Sequence, residues 1–250
     1  MNKAVMLFSG GIDSTYLAVK SAPLYDELIL NTYRVPGMIN VFFSKRAAKQ
    51  VADLCGKKVT HNIIDIRNFI YSIKGNAGAC IRDNIKYDFY CSWCLGCRLA
   101  MHLYTVEFCK KNNIPVVLEG SNFYDSESLA QNEDVIKAIR KIYEEEGLNF
   151  KTPFYYEDNT IISKSKLLFI MRRLRAYKDS TGARVKYLKD NGINLGRGFF
   201  STYRSTQPSC VTSFCFNAPK ALLVNFHKEN REGYLRYIAD KVRLWRLRSK

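Results

Sequence analysis

Seven residues near the N-terminus constrain this chain more than any others: Ser9-Gly10-Gly11-Ile12-Asp13-Ser14-Thr15. The apolar run before them, Ala4-Val5-Met6-Leu7-Phe8, has the length and composition of a buried strand. Tyr16-Leu17-Ala18-Val19-Lys20 after them reads as the first turns of a helix. Two adjacent glycines allow a positive φ and a close approach of ligand to backbone. A strand, a tight glycine turn and a helix N-terminus together make an anion site, because the first helical N–H groups lack intrahelical partners and the helix dipole adds to their pull. Ser9, Ser14 and Thr15 add short hydroxyl donors. No Lys follows the second glycine, so this is not a Walker A loop.

The first half of the chain goes on alternating. Strands are predicted at Glu27–Thr32, Lys58–Ile66 and Ile114–Gly120. Helices are predicted from Ser44 to Leu54, with Ala47, Ala48, Val51 and Leu54 on one face and Gly56 as the stop, and from Leu99 to Lys111. This βαβ rhythm predicts an α/β fold, a Rossmann-like parallel sheet with helices on both faces. Ligands of such sheets bind at the carboxyl ends of the strands. The Ser9 loop and Glu119-Gly120-Ser121-Asn122 both lie at such ends and are expected to share one crevice.

The second half is basic. Of 39 Lys+Arg and 23 Asp+Glu in 250 residues, 18 and 16 fall in residues 1–150, and 21 and 7 in residues 151–250. Nearly all of the +16 net charge therefore sits in the last hundred residues, which argues for a polyanion partner there. A helix is predicted from Lys164 to Tyr177, capped by Ser163, with Leu167, Met171 and Leu174 inward and Arg172, Arg173, Arg175 and Lys178 outward. A final helix is predicted over Arg231 to Arg248, with Leu235, Ile238, Val242 and Trp245 as its packing stripe. No run of eighteen apolar residues is present, so no membrane span is expected. The N-terminal apolar run is too short for a signal peptide, and a cytoplasmic location is the expectation. Eight cysteines in such a protein point to metal binding, catalysis or burial rather than disulfides.

Cys91-Ser92-Trp93-Cys94-Leu95-Gly96-Cys97 is the second strong signal. Three thiols at intervals of three can converge on one ion or cluster, and thiolates suit Zn²⁺ or iron–sulfur centres. Cys80, Cys210 and Cys215 are each candidates for a further ligand. Cys55 and Cys109, each alone in a helical pattern, read as buried packing residues.

The Ser9–Thr15 segment resembles the SGGxDS signature of the PP-loop ATP pyrophosphatases, the adenine nucleotide α-hydrolase superfamily. That resemblance implies that Ser9, Gly10, Gly11, Asp13, Ser14, Thr15 and Gly120 bind ATP. It also implies that pyrophosphate is released and AMP is left on a substrate oxygen, with Asp13 positioning the loop or a Mg²⁺ ion. The thiols are most similar to those of the tRNA 2-thiocytidine and 2-thiouridine synthases, where a CxxC pair opens a helix leading to a strand and a second nucleotide motif. A distant third cysteine there completes a [4Fe–4S] site with one open iron. The likeness implies Cys91 and Cys94 as ligands and Cys210 as the third, with Cys97 an extra thiol, a rival ligand or a sulfur carrier. Ile12 departs from the lysine common in that branch, and Gly120-Ser121-Asn122-Phe123-Tyr124-Asp125 departs from its GHxxDD pattern. Asp125 still falls where an acid would bind Mg²⁺ or act at the reacting centre.

The expected division is a nucleotide-binding domain with the cysteine motif over residues 1–160 and a basic substrate-binding region over 161–250. The expected activity is ATP-dependent sulfur transfer to a tRNA base, with a separate sulfur donor as a further partner. Arg172, Arg173, Arg175 and the terminal arginines are expected on tRNA phosphates, and Phe199, Phe200 and Tyr203 are candidates for stacking a base. Two alternatives stand beside this. One is a ligase for a small carboxylate, like the 7-cyano-7-deazaguanine synthases, which share SGGxDST and a zinc-holding CxxCxxC; in that family the cysteines follow the second nucleotide motif, whereas here they precede it. The other is a non-catalytic, zinc-stabilised nucleic-acid binder.

Overall fold

A computed structural model of the chain describes residues 2–56, 58–89, 92–121, 129–157, 182–195, 209–210 and 230–248. Its centre is a five-stranded sheet built from β1 (Lys3–Leu7), β2 (Glu27–Arg34), β4 (Lys58–Asp65), β5 (Val116–Glu119) and β6 (Asn149–Lys151). The spatial order is β4-β2-β1-β5-β6, and every neighbouring pair is parallel. From β1 the chain winds outward one way through β2 and β4, then returns to place β5 on the other side of β1. The point where the winding reverses, between β1 and β5, leaves a crevice beyond their carboxyl ends.

Both sheet faces are buried, and the strands show it by strict alternation. Val5, Ile29, Tyr33 and Val117 face one core; Ala4, Met6, Leu28, Leu30 and Leu118 face the other. The second core is covered by α1 (Ile12–Ser21), α2 (Ser44–Cys55) and a short helix, α7 (Phe154–Glu157). The first is covered by α3 (Arg67–Lys74), α5 (Ser92–Asn112) and α6 (Glu133–Glu145), with α4 (Ala77–Tyr87) beside them.

The described residues beyond 160 join these same two cores. Residues 182–190 form a helix, α8, whose Leu188, with the following Ile193, packs beside α1 and α2. The last described helix, α9 (Arg231–Arg248), touches α3, α4, α5 and α6 and buries Tyr234, Tyr237, Ile238, Val242 and Trp245. Ile238, Val242 and Trp245 are the stripe expected from sequence; the two tyrosines extend it. The short strands β3 (Met38–Ile39) and β7 (Ser209–Cys210) pair antiparallel, which brings the backbone of Cys210 opposite Met38 in the loop after β2.

Sequence and structure agree on the strand–loop–helix units. The predicted helix from Leu99 begins earlier, at Ser92, because the Asn84 side chain accepts the Ser92 N–H at 3.0 Å and caps it. The expected helix over 164–177, the basic cluster Arg172, Arg173 and Arg175, and the aromatic trio Phe199, Phe200 and Tyr203 lie outside the described residues.

Candidate active site

The glycine loop after β1 is organised by its own hydroxyls. Ser9 and Ser14 Oγ atoms are 3.0 Å apart, Gly11 N donates to Ser9 Oγ at 3.2 Å, and Ser14 Oγ donates to the Gly11 carbonyl at 3.1 Å. Gly10 has φ +75°, and a Cβ there would stand 2.9 Å from the Ser44 Cα of α2, so only glycine fits. Gly11 is the N-cap of α1 and offers no side chain to it. Thr15 N donates to the Gly11 carbonyl at 2.9 Å, so the helix ladder begins there and the N–H groups of residues 12–14 have no intrahelical acceptor. Thr15 itself is fully buried.

Gly120, at the end of β5, sits against this loop: a Cβ on it would lie 3.3 Å from Ser14 N and 3.4 Å from the Asp13 carbonyl. The two strand ends therefore share one crevice. Asp125, Asn122 and the rest of the segment that continues from Ser121 lie outside the described residues.

A buried polar chain holds Gly120 in place. Arg98 of α5 donates to Glu119 Oε2 at 2.8 Å and to Ser121 Oγ at 3.0 Å, gripping both flanks of the glycine. His102 Nε2 stands 3.5 Å from Glu119 Oε1, and its Nδ1 is 3.0 Å from the Tyr143 hydroxyl. Burial alone would raise the Glu119 carboxyl, but the Arg98 guanidinium, His102 and the Ser121 hydroxyl together outweigh it and hold the acid at about 2. Burial lowers His102 and keeps it a neutral imidazole at pH 7. Sequence reasoning alone takes His102 as a packing or surface residue. A carboxylate ending the buried run Val116-Val117-Leu118 is the available signal, since it demands a cation.

Asp13 has a partner that no motif indicates. Arg184 Nη1 lies 2.6 Å from Asp13 Oδ1, and the Arg184 guanidinium is 4.7 Å from the Phe154 ring centroid. The arginine is buried, with α8 carrying it onto the loop from 171 residues away.

The same helix that carries Arg98 carries the thiols. Cys97 is buried and Cys94 is half-buried on the first turns of α5, and Cys80 of α4 is buried near them. Lys74, at the end of α3, stands among the three. Its Nζ is 3.9 Å from Cys80 Sγ and 2.9 Å from the Trp93 ring centroid. Burial lowers the pKa of Lys74, while Cys97, Cys80 and Cys94 act in the opposite direction and favour its charge. Gly96 makes room for this packing, for a Cβ there would meet the Tyr237 hydroxyl at 2.5 Å and Lys74 Cβ at 2.6 Å.

Of the expected ligand set, Cys94 and Cys97 have described side chains, one helical turn apart on α5. Cys91 and the side chain of Cys210 lie outside the described residues. Among the described residues no three His, Cys, Asp or Glu groups are placed to hold one metal ion. The donor chemistry itself suits an anionic iron–sulfur centre: soft thiols, with a buried cation against them.

No protein-family model matches the sequence, and no curated protein matches it. Solved structures do match. A 4-thiouridine synthetase, solved as an RNA complex with bound ATP, superposes with a TM-score of 0.52 at 14% identity, over 98% of this chain and 52% of that one. The chain thus spans about half the length of that protein. The U34-tRNA thiolase NcsA from Methanococcus maripaludis, solved with its [4Fe-4S] cluster, gives 0.45 at 13% identity, over 98% and 74%. NMN synthetase from Francisella tularensis gives 0.37 at 12%, over 99% and 84%. Identities this low speak to the fold alone. Among the described residues no helix is long and apolar enough to cross a membrane. With its parallel β4-β2-β1-β5-β6 sheet and its glycine loop at the reversal point, the chain has the fold of the PP-loop ATP pyrophosphatases.

Proposed function

We propose that this protein is an ATP-dependent enzyme, forming AMP and pyrophosphate, that activates a carbonyl oxygen of a tRNA base and exchanges it for sulfur. One observation carries the reading: the nucleotide loop and the thiol helix are joined. Gly120 sits on the loop at Asp13 and Ser14, and Arg98, next to Cys97, grips both residues that flank Gly120.

In this reading the N–H groups of residues 12–14, which precede the first helical hydrogen bond, and the Ser9 and Ser14 hydroxyls bind phosphate oxygens, a donor set fixed before the substrate arrives. Thr15, fully buried, supports the loop from beneath. Asp13 and Asp125 would hold the Mg²⁺ that accompanies ATP and offsets the charge of departing pyrophosphate. Arg184 brings a guanidinium to the same end of the loop, where charge develops on the leaving group. Cys91, Cys94 and Cys210 would hold the [4Fe–4S] cluster, with Cys97 as an extra thiol or rival ligand; a cluster held by three thiolates would supply an open iron for the sulfur to be delivered. A separate sulfur donor completes the balance, and the basic residues past 150 provide attraction for tRNA.

The test is the product of ATP turnover with unmodified tRNA. AMP and pyrophosphate are expected; ADP and phosphate alone would overturn the reading. Arg184→Ala should raise the KM for ATP about tenfold while the product remains pyrophosphate. Protein purified without oxygen should contain iron and sulfide. A colourless protein with one zinc would instead point to the small-carboxylate ligase.

A further inference from the structure

A cleft of about 430 Å³ opens between α3, α4 and α9, apart from the nucleotide crevice. Four cations and one carboxylate line it: Lys74, Arg82, Lys241, Arg248 and Asp83. The acid is committed, since Lys241 Nζ is 2.9 Å from Asp83 Oδ2. Arg248 is fixed at the rim by donating to the Ser72 carbonyl. Arg82 is exposed on α4.

The floor is the unusual part. Lys74 is fully buried, yet among the described residues no carboxylate pairs with it. Its ammonium donates to the Gly75 carbonyl at 3.3 Å, rests on the Trp93 ring and lies beside the Cys80 thiol. Aromatic faces and thiols compensate a buried cation only in part. A buried lysine in a cleft that also carries Arg82 and Arg248, beyond the Lys241–Asp83 pair, leaves positive charge to be met by an anion from outside. The rim also carries Tyr71 and Leu244, exposed by 43% and 47%, which suit the sugar and base of a nucleotide more than a bare inorganic ion.

Lys74 also fixes where this cleft lies relative to the chemistry. It lines the cleft, and its Nζ is 3.9 Å from Cys80 Sγ. We propose that the cleft binds a phosphate of the RNA backbone beside the thiol centre, with Arg82, Lys241 and Arg248 as its rim ligands and Lys74 as its floor. This rests on the RNA-modifying reading and extends it, by assigning the surface along which the strand runs.

Arg82 and Arg248 are exposed, so Arg82→Ala/Arg248→Ala leaves the cores intact. Binding of tRNA to the intact chain and to this double variant is measured by fluorescence anisotropy across a salt series. The variant should bind about tenfold more weakly, and the slope of log K against log salt should fall by about two, one for each phosphate no longer neutralised. Arg82→Lys/Arg248→Lys should keep most of the affinity. Wild-type affinity and slope in the alanine variant would overturn the proposal, as would an intact chain that does not bind tRNA. Tripolyphosphate, titrated in parallel, separates the sources of phosphate: a site lost to tripolyphosphate in the variant while tRNA binding is unchanged would overturn the RNA assignment. If neither protein releases pyrophosphate but RNA binding still drops in the variant, the enzymatic reading fails and the cleft stands.

Discussion

Glu119 ends a buried strand, and an ionised carboxylate is stable there because the Arg98 guanidinium lies 2.8 Å away. Removing one partner of such a pair costs far more than the pair contributes, because the other charge stays buried. Arg98→Met should therefore destabilise the fold by about 3 kcal/mol in urea unfolding, and Glu119→Gln in the same chain should recover part of the loss. His61 provides a test of a different kind. Its Nε2 lies 2.9 Å from Thr32 Oγ1 and 3.3 Å from Ser44 Oγ. Burial first, and then Lys45, lower its pKa from the ordinary 6.5 to about 4. Between these values the unfolded chain binds the proton and the folded one does not, so stability falls as pH drops from 6.5 to 4. His102 acts in the same sense. Urea midpoints measured from pH 7 to 4 should show this limb, and His61→Gln should make it shallower. Neither residue advertises itself in the sequence: an isolated histidine has no spacing to read, and Arg184 meets Asp13 across 171 residues with no motif to announce it.

The elements differ in how openly they are written. The β1 strand, its glycine loop and α1 are legible because an apolar run, two glycines and a helical repeat each have their own local cause. α2 and α9 are legible from their stripes. α3 and α4 are not. α3 has only eight residues before Gly75 stops it, and α4 turns Ile81 and Ile85 outward, exposed by 60% and 78%, so its apolar pattern does not mark the buried face. α5 reads as a helix from its apolar middle, but its first turns carry the thiols. Gly96 lets that end of α5 approach both α3 and α9. Gly96→Ala should force Lys74 and Tyr237 apart, lower stability by about 1–3 kcal/mol in urea unfolding and change the reactivity of Cys80 and Cys97 toward a thiol reagent in the folded protein. An alanine at a merely exposed helical position would do the reverse, since alanine is the better helix former.

For the whole molecule, the parallel sheet and the crevice at its reversal point follow from the alternation of strands and helices, so the fold class is within reach of the sequence. The packing of the basic part is not. Charge places residues 151–250 in the solvent or on a polyanion, yet α8 and α9 each give one face to a core of the sheet. Several of the terminal arginines are used internally as well: Arg246 pairs with Glu145 and Glu146 at the end of α6, and Arg231 with Asp134 at its start. Among the described residues, these arginines are therefore committed to α6. The position of α9 in the chain also sets an order of events during synthesis. A nascent chain that has reached residue 151 holds all five strands, but the groove on α3, α5 and α6 that takes Tyr237 and Trp245 is still bare. α9 cannot complete its cover of that apolar surface until residue 245 has been made. During that interval the growing chain is at its most prone to aggregate, and a holdase chaperone would find its binding site there.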